Sequence, residues 1–201
     1  MSVPKGKLII IGGSVDKGSY AENQADLPQK LKFFDRGILK RITTEAAKKN
    51  ASRIEIITTA SSIPEEVGQE YISAFGNLDV KDVHVLDVRK RDEANAPDTI
   101  ERLRNADVVV FTGGDQLRLT SIFGGTAFHQ LLLERYENEN FIISGTSAGA
   151  AASSNNMIYQ GSSSEAMLKG EVKITVGLGY INNVIIDTHF VQRGRIGRLL
   201  Y

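Results

Sequence analysis

Phe141-Ile142-Ile143-Ser144 runs straight into Gly145-Thr146-Ser147-Ala148-Gly149-Ala150. An apolar stretch of strand length ends on a glycine. Small residues then follow wherever a sharp strand-to-helix turn would crowd its own backbone. The pattern is Gly-x-Ser-x-Gly. Such a turn forces its central residue into a strained conformation, and it closes only if the residues two places away are small. Gly145 and Gly149 meet that need, while Ala148 and Ala150 keep the helix start slim. The Ser147 hydroxyl is expected to project above a sheet edge, where N–H groups at a helix N-terminus can stabilise a developing oxyanion. A Gly/Ala-rich turn that only packs a helix closely on a sheet has the same spelling. The apolar strand before Gly145 favours the nucleophile elbow.

Similar units continue on both sides. Lys7 to Ile11 reads as a buried strand closed by Gly12-Gly13, and Leu31, Phe34, Ile38 and Ile42 place an amphipathic helix over about Leu27 to Lys49. Arg53–Thr59, Val83–Val88, Asp107–Thr112 and Val184–Asp187 read as further strands. Helices are expected from Pro64 toward Phe75, from Pro97 to Asn105 and from Thr126 to Tyr136, with a nascent one at Arg195–Tyr201. Ser153 to Gly170 is rich in Ser, Gly and Asn and reads as an irregular excursion or hairpin. Strand–helix alternation of this kind implies an α/β fold: a mostly parallel sheet flanked by helices on both faces, with the site beyond the strands' carboxyl ends. We expect one domain over residues 1–201, truncated at its C-terminus.

Bulk properties remove several classes of function. The chain has 201 residues, 41% hydrophobic and 24% charged, and Lys plus Arg equals Asp plus Glu at 24 each. No basic excess points to nucleic acid. There is no cysteine, which excludes disulfides and a thiol nucleophile. No apolar run approaches the ~20 residues that span a bilayer, and the first residues lack a signal-peptide core. The cytoplasm is the expected location, with no membrane partner. No group of carboxylates and histidines has metal-ligand spacing, so neither metal nor cofactor is expected.

A serine nucleophile needs a base, and the chain has three histidines. His84 lies within an apolar alternation and reads as structural; His129 sits in a helical run, where surface or packing roles fit. His189, in Asp187-Thr188-His189-Phe190, follows an apolar run and falls on the same sheet edge as Ser147. It is the base candidate. Gly113-Gly114-Asp115-Gln116 ends another central strand. Its glycines permit close backbone approach, so Gly113 or Gly114, with Ala148, are candidate oxyanion donors. Asp115 reads equally as a helix cap. Arg193, Arg195 and Arg198 follow His189 closely and suit carboxylate binding, because guanidinium groups grip carboxylates bidentately. Gly12-Gly13-Ser14 lacks the full dinucleotide-binding spacing and reads as a sheet-edge loop.

Together, Gly12-Gly13, Thr58-Thr59-Ala60-Ser61 with Pro64-Glu65-Glu66, Phe111 to Gln116, Gly145 to Ala150 and Asp187 to Arg195 resemble the cyanophycinase family, in order over nearly the whole chain. The resemblance implies the fold of class I glutamine amidotransferases, a flavodoxin-like three-layer sandwich shared with aspartyl dipeptidase. It implies a serine exopeptidase that cuts cyanophycin, a polyaspartate with arginine on each side-chain carboxylate, into β-aspartyl-arginine. Ser147 would match the nucleophile and His189 the base. Gln116, Asp187, Arg193, Arg195 and Arg198 would match residues of the substrate pocket, and a homodimer without metal or cofactor is implied. Two departures stand out. Thr188 occupies a place where the family has Gln, a pocket position. The family's catalytic glutamate lies well after the histidine, and here only Asp187 and Glu165 are nearby carboxylates. An aspartyl dipeptidase-like enzyme and a catalytically impaired binding protein of the same fold are the alternatives.

Overall fold

The computed structural model describes residues 3–15, 37–161 and 171–199. Five apolar runs lie side by side as β1 (Lys7–Ile11), β2 (Ile54–Ile57), β3 (Val83–Leu86), β4 (Val108–Phe111) and β5 (Ile142–Thr146). They form one sheet in the order β1-β5-β4-β2-β3, with every pairing parallel. Between them run α1 (Ile38–Glu45), α2 (Pro64–Gly76), α3 (Pro97–Asn105), α4 (Gln116–Phe123) and α5 (Ala127–Asn138), and α6 (Ala148–Ala151) follows β5 directly.

Alternation along the strands divides the core in two. Val108 and Val110 point to one face, where they join Ile54, Ile56 and Ile142 under Leu39 and Ile42 of α1 and Tyr71 and Phe75 of α2. Val109 and Phe111 point to the other, against Leu103 of α3, Leu119 and Phe123 of α4, and Phe128 and Leu132 of α5. The middle strands can therefore be apolar throughout, and each such side chain contributes roughly 1.5–3 kcal/mol of burial. This is the three-layer, flavodoxin-like α/β architecture. A charged residue interrupts it. Glu55 is fully buried in β2 and is held by Arg53 at 3.0 Å and by Arg102 of α3. No helix among the described residues is long and apolar enough to cross a membrane.

Three expectations are corrected. β1, which among the described residues pairs only with β5, has only Ile11 buried, because a strand flanked on one side is covered less. Val184 to Asp187 is not a strand: Val184 and Ile185 are exposed, and nearby only an isolated bridge between Ser154 and Ile181 forms. Apolar spelling without a ladder partner does not make a strand. Of the helix expected over Leu27 to Lys49, α1 occupies Ile38–Glu45, and residues 27–36 lie outside the described residues. The excursion after Ser153 contains an antiparallel hairpin, β6 (Asn156–Gln160) with β7 (Lys173–Val176), and residues 162–170, including Glu165, lie outside the described residues. A short α7 (Phe190–Arg193) and a 3-10 turn (Arg195–Leu199) follow His189.

His129 joins two of these pieces. Its Nδ1 accepts the Gly125 N–H at 3.0 Å and its Nε2 donates to the Leu178 carbonyl at 2.7 Å. That fixes the neutral tautomer. Burial lowers its pKa, with the Leu178 contact opposing. The unfolded chain therefore takes up this proton before the folded one does, so stability is fully present above about pH 6.5 and is lost as pH falls below it. We predict that the denaturant midpoint drops between about pH 7.5 and about pH 5.5 by more in the wild type than in His129→Gln. Equal drops would show that His129 carries none of the dependence.

Candidate active site

The site sits at the carboxyl ends of β1, β4 and β5. Ser147, the residue between β5 and α6, has φ 52 and ψ −107. For a residue with a side chain this backbone is strained. Its neighbours explain how the turn closes. A Cβ on Gly145 would lie 2.4 Å from the Gly149 carbonyl oxygen, and one on Gly149 would lie 2.5 Å from the Phe111 carbonyl oxygen. Both positions exclude any side chain.

Two backbone hydrogen bonds to the end of β1 bring Ser147 and His189 together. The Ser147 N–H donates to the Ile11 carbonyl at 2.9 Å, and the His189 N–H donates to the Gly12 carbonyl at 2.8 Å. His189 is itself left-handed, at φ 60 and ψ 39, and is 9% exposed. The Ser147 hydroxyl then lies 2.7 Å from His189 Nε2. In this arrangement Nε2 can accept the serine proton. The two side chains open on a cavity of about 260 Å³ lined also by Ser14, Tyr71, Gly113, Gly114 and Arg193.

Gly113 stands directly beside the serine: a Cβ there would lie 3.4 Å from Ser147 Cβ and 3.9 Å from its Oγ. Among the described residues, the N–H groups of Gly113, Gly114 and Ala148 are engaged by no backbone acceptor. Asp115 caps α4, its carboxylate accepting the Leu117 N–H at 2.8 Å and the Arg118 N–H at 3.4 Å. Gln116 does not line the cavity; its Nε2 donates to the Ile158 carbonyl of β6 at 3.2 Å.

The residues flanking His189 divide into two groups. Asp187 and Arg198, both buried, form a bidentate ion pair with each other. Asp187 also accepts the Thr188 N–H at 2.8 Å. Asp187 takes Arg198 rather than Arg193, which is nearer in sequence, because the 3-10 turn brings Arg198 back to residue 187. Arg198 further donates to the Gly161 carbonyl at 3.2 Å, tying the hairpin to the site. Thr188 is buried, and its carbonyl accepts from Arg195 Nη1 at 3.3 Å. Burial first, then repulsion from Arg198 and Arg193, lowers the pKa of Arg195, with Asp187 opposing. Arg193 is the exposed arginine at the cavity.

Two contributions escaped the sequence reading. Tyr71 of α2, buried, forms a wall of the cavity, and its hydroxyl is 3.3 Å from Thr146 Oγ1. Burial raises the phenol's pKa, with the Thr146 hydrogen bond opposing, so it stands there neutral. Its place on the buried face of α2 reads as core packing. Gly12 supplies the carbonyl that anchors His189, a role that leaves no mark in side-chain chemistry.

We predict that Gly145→Ala and Gly149→Ala each destabilise the protein by several kcal/mol, about 2 or more, because the new methyl meets backbone rather than a movable side chain. Gly12→Ala, where nothing lies within 4 Å of an added Cβ, should melt like the wild type. Calorimetry of the three variants checks this; a tolerated Gly149→Ala would contradict the close packing described.

The family model described as Peptidase family S51 matches residues 32–199. The chain is 35% identical over 196 residues to the cyanophycinase of Geminocystis herdmanii, an alignment that covers 98% of this chain and 66% of that protein. It is 33% identical to the cyanophycinases of Trichormus variabilis, covering 98% of this chain and 60% of the relative, and of Synechococcus elongatus, covering 98% and 56%. The chain therefore spans between 56% and 66% of the length of these relatives. Among solved structures it matches a peptidase from an acI-B1 Actinobacterium with a TM-score of 0.69 and 22% identity, covering 98% of this chain and 72% of that one, a likeness of fold. The match over residues 32–199 and the identities along nearly the whole chain have one consequence: the chain belongs to peptidase family S51.

Proposed function

We propose that the protein is a serine-type peptidase of the cyanophycinase kind, with Ser147 as nucleophile and His189 as base. The observation that carries this reading is the 2.7 Å contact between Ser147 Oγ and His189 Nε2 on a strained turn. As Oγ attacks the substrate carbonyl carbon, its proton passes to Nε2 and the carbonyl π electrons move onto oxygen. The N–H groups of Gly113, Gly114 and Ala148 stabilise that oxyanion. Collapse of the tetrahedral intermediate breaks the C–N bond, and the departing amine takes the proton from His189. Water then adds to the acyl-serine, giving up a proton to His189, and the serine is restored as the acid leaves. His189 is neutral before and after each half-reaction. The orienting carboxylate of such a site can be worth ~10⁴ in turnover; Asp187 is committed to Arg198 instead.

The substrate of this reading is cyanophycin, and the product is β-aspartyl-arginine. Arg193 at the cavity and Arg195 beside it supply positive charge for aspartyl carboxylates. Asp187, Thr188 and Arg198 lie outside the cavity lining and brace the segment around His189 rather than touch substrate, and Gln116 reaches substrate only by leaving Ile158. The same reading has the protein working in the cytoplasm as a homodimer, without metal or cofactor. The relatives named cyanophycinase and the shared family support it.

Purified cyanophycin incubated with the protein, in the longest form its gene encodes, should release β-aspartyl-arginine by mass spectrometry, and Ser147→Ala should release none. Cleavage of α-aspartyl dipeptides in place of cyanophycin would keep the mechanism and replace the substrate. Silence of the wild type on both would favour a binding protein.

A further inference from the structure

The Gly113–Gly114 turn does not hold itself in place. Gly114 has φ +140, and a Cβ there would fall 2.0 Å from the Ala60 carbonyl oxygen and 2.9 Å from the Ser61 nitrogen. The next N–H, that of Asp115, donates to the same Ala60 carbonyl at 2.9 Å. The glycine turn is thus seated directly on the Ala60–Ser61 peptide, which follows β2. Wherever that peptide goes, Gly114 and then Gly113, beside Ser147, must follow.

Two guanidinium groups from separate elements converge on the peptides that flank this one, at the Thr59 and Ser61 carbonyls. Arg89, after β3, donates through Nη1 to the Ser61 carbonyl at 2.9 Å and more weakly to the Thr59 carbonyl at 3.4 Å. Arg118 of α4 donates to the same Ser61 carbonyl at 3.1 Å. Arg89 is fixed in turn by Asp87, 2.7 Å from its Nε, and Asp87 also accepts the Thr58 hydroxyl at 3.2 Å. Arg89 Nη2 is buried with no partner among the described residues. A desolvated N–H is unfavourable, so the placement of Arg89 is not explained by its own hydrogen bonding alone. Neither arginine lines the cavity at Ser147. Their bonds to the carbonyl are charge-assisted, the kind that fixes a peptide most firmly.

We infer that Arg89 and Arg118 are positioning residues for oxyanion stabilisation. They clamp the Ser61 carbonyl, which belongs to the following Ser61–Ser62 peptide, and so hold the adjoining Ala60–Ser61 peptide. That peptide seats Gly114 and so holds the N–H groups of Gly113 and Gly114 near Ser147. The inference rests on the acyl-transfer reading above, but not on the identity of the substrate.

The test is the second-order rate of Ser147 labelling by a fluorophosphonate, whose phosphoryl oxygen needs the same donors, in Arg89→Met, Arg118→Met, Arg89→Lys and Arg118→Lys. Displacing an oxyanion donor should slow labelling by about tenfold or more in the methionine variants. The lysine variants, which keep one charged donor, should lose less. Where a turnover substrate is in hand, kcat should fall with KM unchanged, the mark of an interaction made in the transition state. If the methionine variants fail to fold, the lysine variants carry the test: slowed labelling at an unchanged Tm is expected. Wild-type rates in every variant that folds would overturn the clamp. A wild type that is not labelled at Ser147 would overturn the acyl-transfer reading and the clamp with it, and is recognised because no variant enters the comparison.

Discussion

The neighbouring carbonyls of Ile11 and Gly12 accept the N–H groups of Ser147 and His189, residues 42 positions apart. Everything at the site depends on this double anchor. Both residues have positive φ, 52 and 60, and each such backbone costs about 1–3 kcal/mol unless its surroundings hold it. The parallel register of β1 with β5, Ile11 opposite Thr146, brings the first anchor within reach of the serine. The turn after β1 brings the second within reach of the histidine. β1, with little buried surface of its own, thereby sets the distance between Ser147 and His189.

Close packing of backbone on backbone extends the constraint inward. Gly149 touches the end of β4, Gly145 touches Gly149, and Gly113 touches Ser147. At Gly145 and Gly149 no side chain fits, which lets the ends of β4 and β5 close against the serine. Around this small-residue centre Tyr71 and Arg193 line the cavity, while the buried Asp187–Arg198 pair stands outside its lining. A pair with so little access to water is strongly coupled, and removing either partner would leave a charge without compensation.

Much of this was legible in residue types. Gly145, Ser147 and Gly149 declare their turn, because steric exclusion acts locally and shows up as glycine. His189 was found because an apolar run and a polar stop placed it on the right edge, although that run proved not to be a strand. The α/β alternation was legible from the two-sided apolar strands Ile54–Ile57 and Val108–Phe111. Other features depend on contacts between distant parts of the chain. Nothing local to Asp187 distinguishes Arg193 from Arg198 as its partner; the path of the 3-10 turn decides it. Tyr71 spells like core, and Gly12 acts through a carbonyl that every residue has. Gln116 looks equally suited to a substrate or to a neighbouring strand, and here it bonds the β6 carbonyl of Ile158.

The central claim is that Ser147, activated by His189, attacks an acyl centre. Treatment with a fluorophosphonate followed by peptide mass mapping tests it most directly, since it needs no knowledge of the substrate. The account predicts a single adduct on the peptide containing Ser147, absent from Ser147→Ala and strongly reduced in His189→Ala. An unmodified Ser147, or an adduct on a different serine that persists in Ser147→Ala, would contradict it.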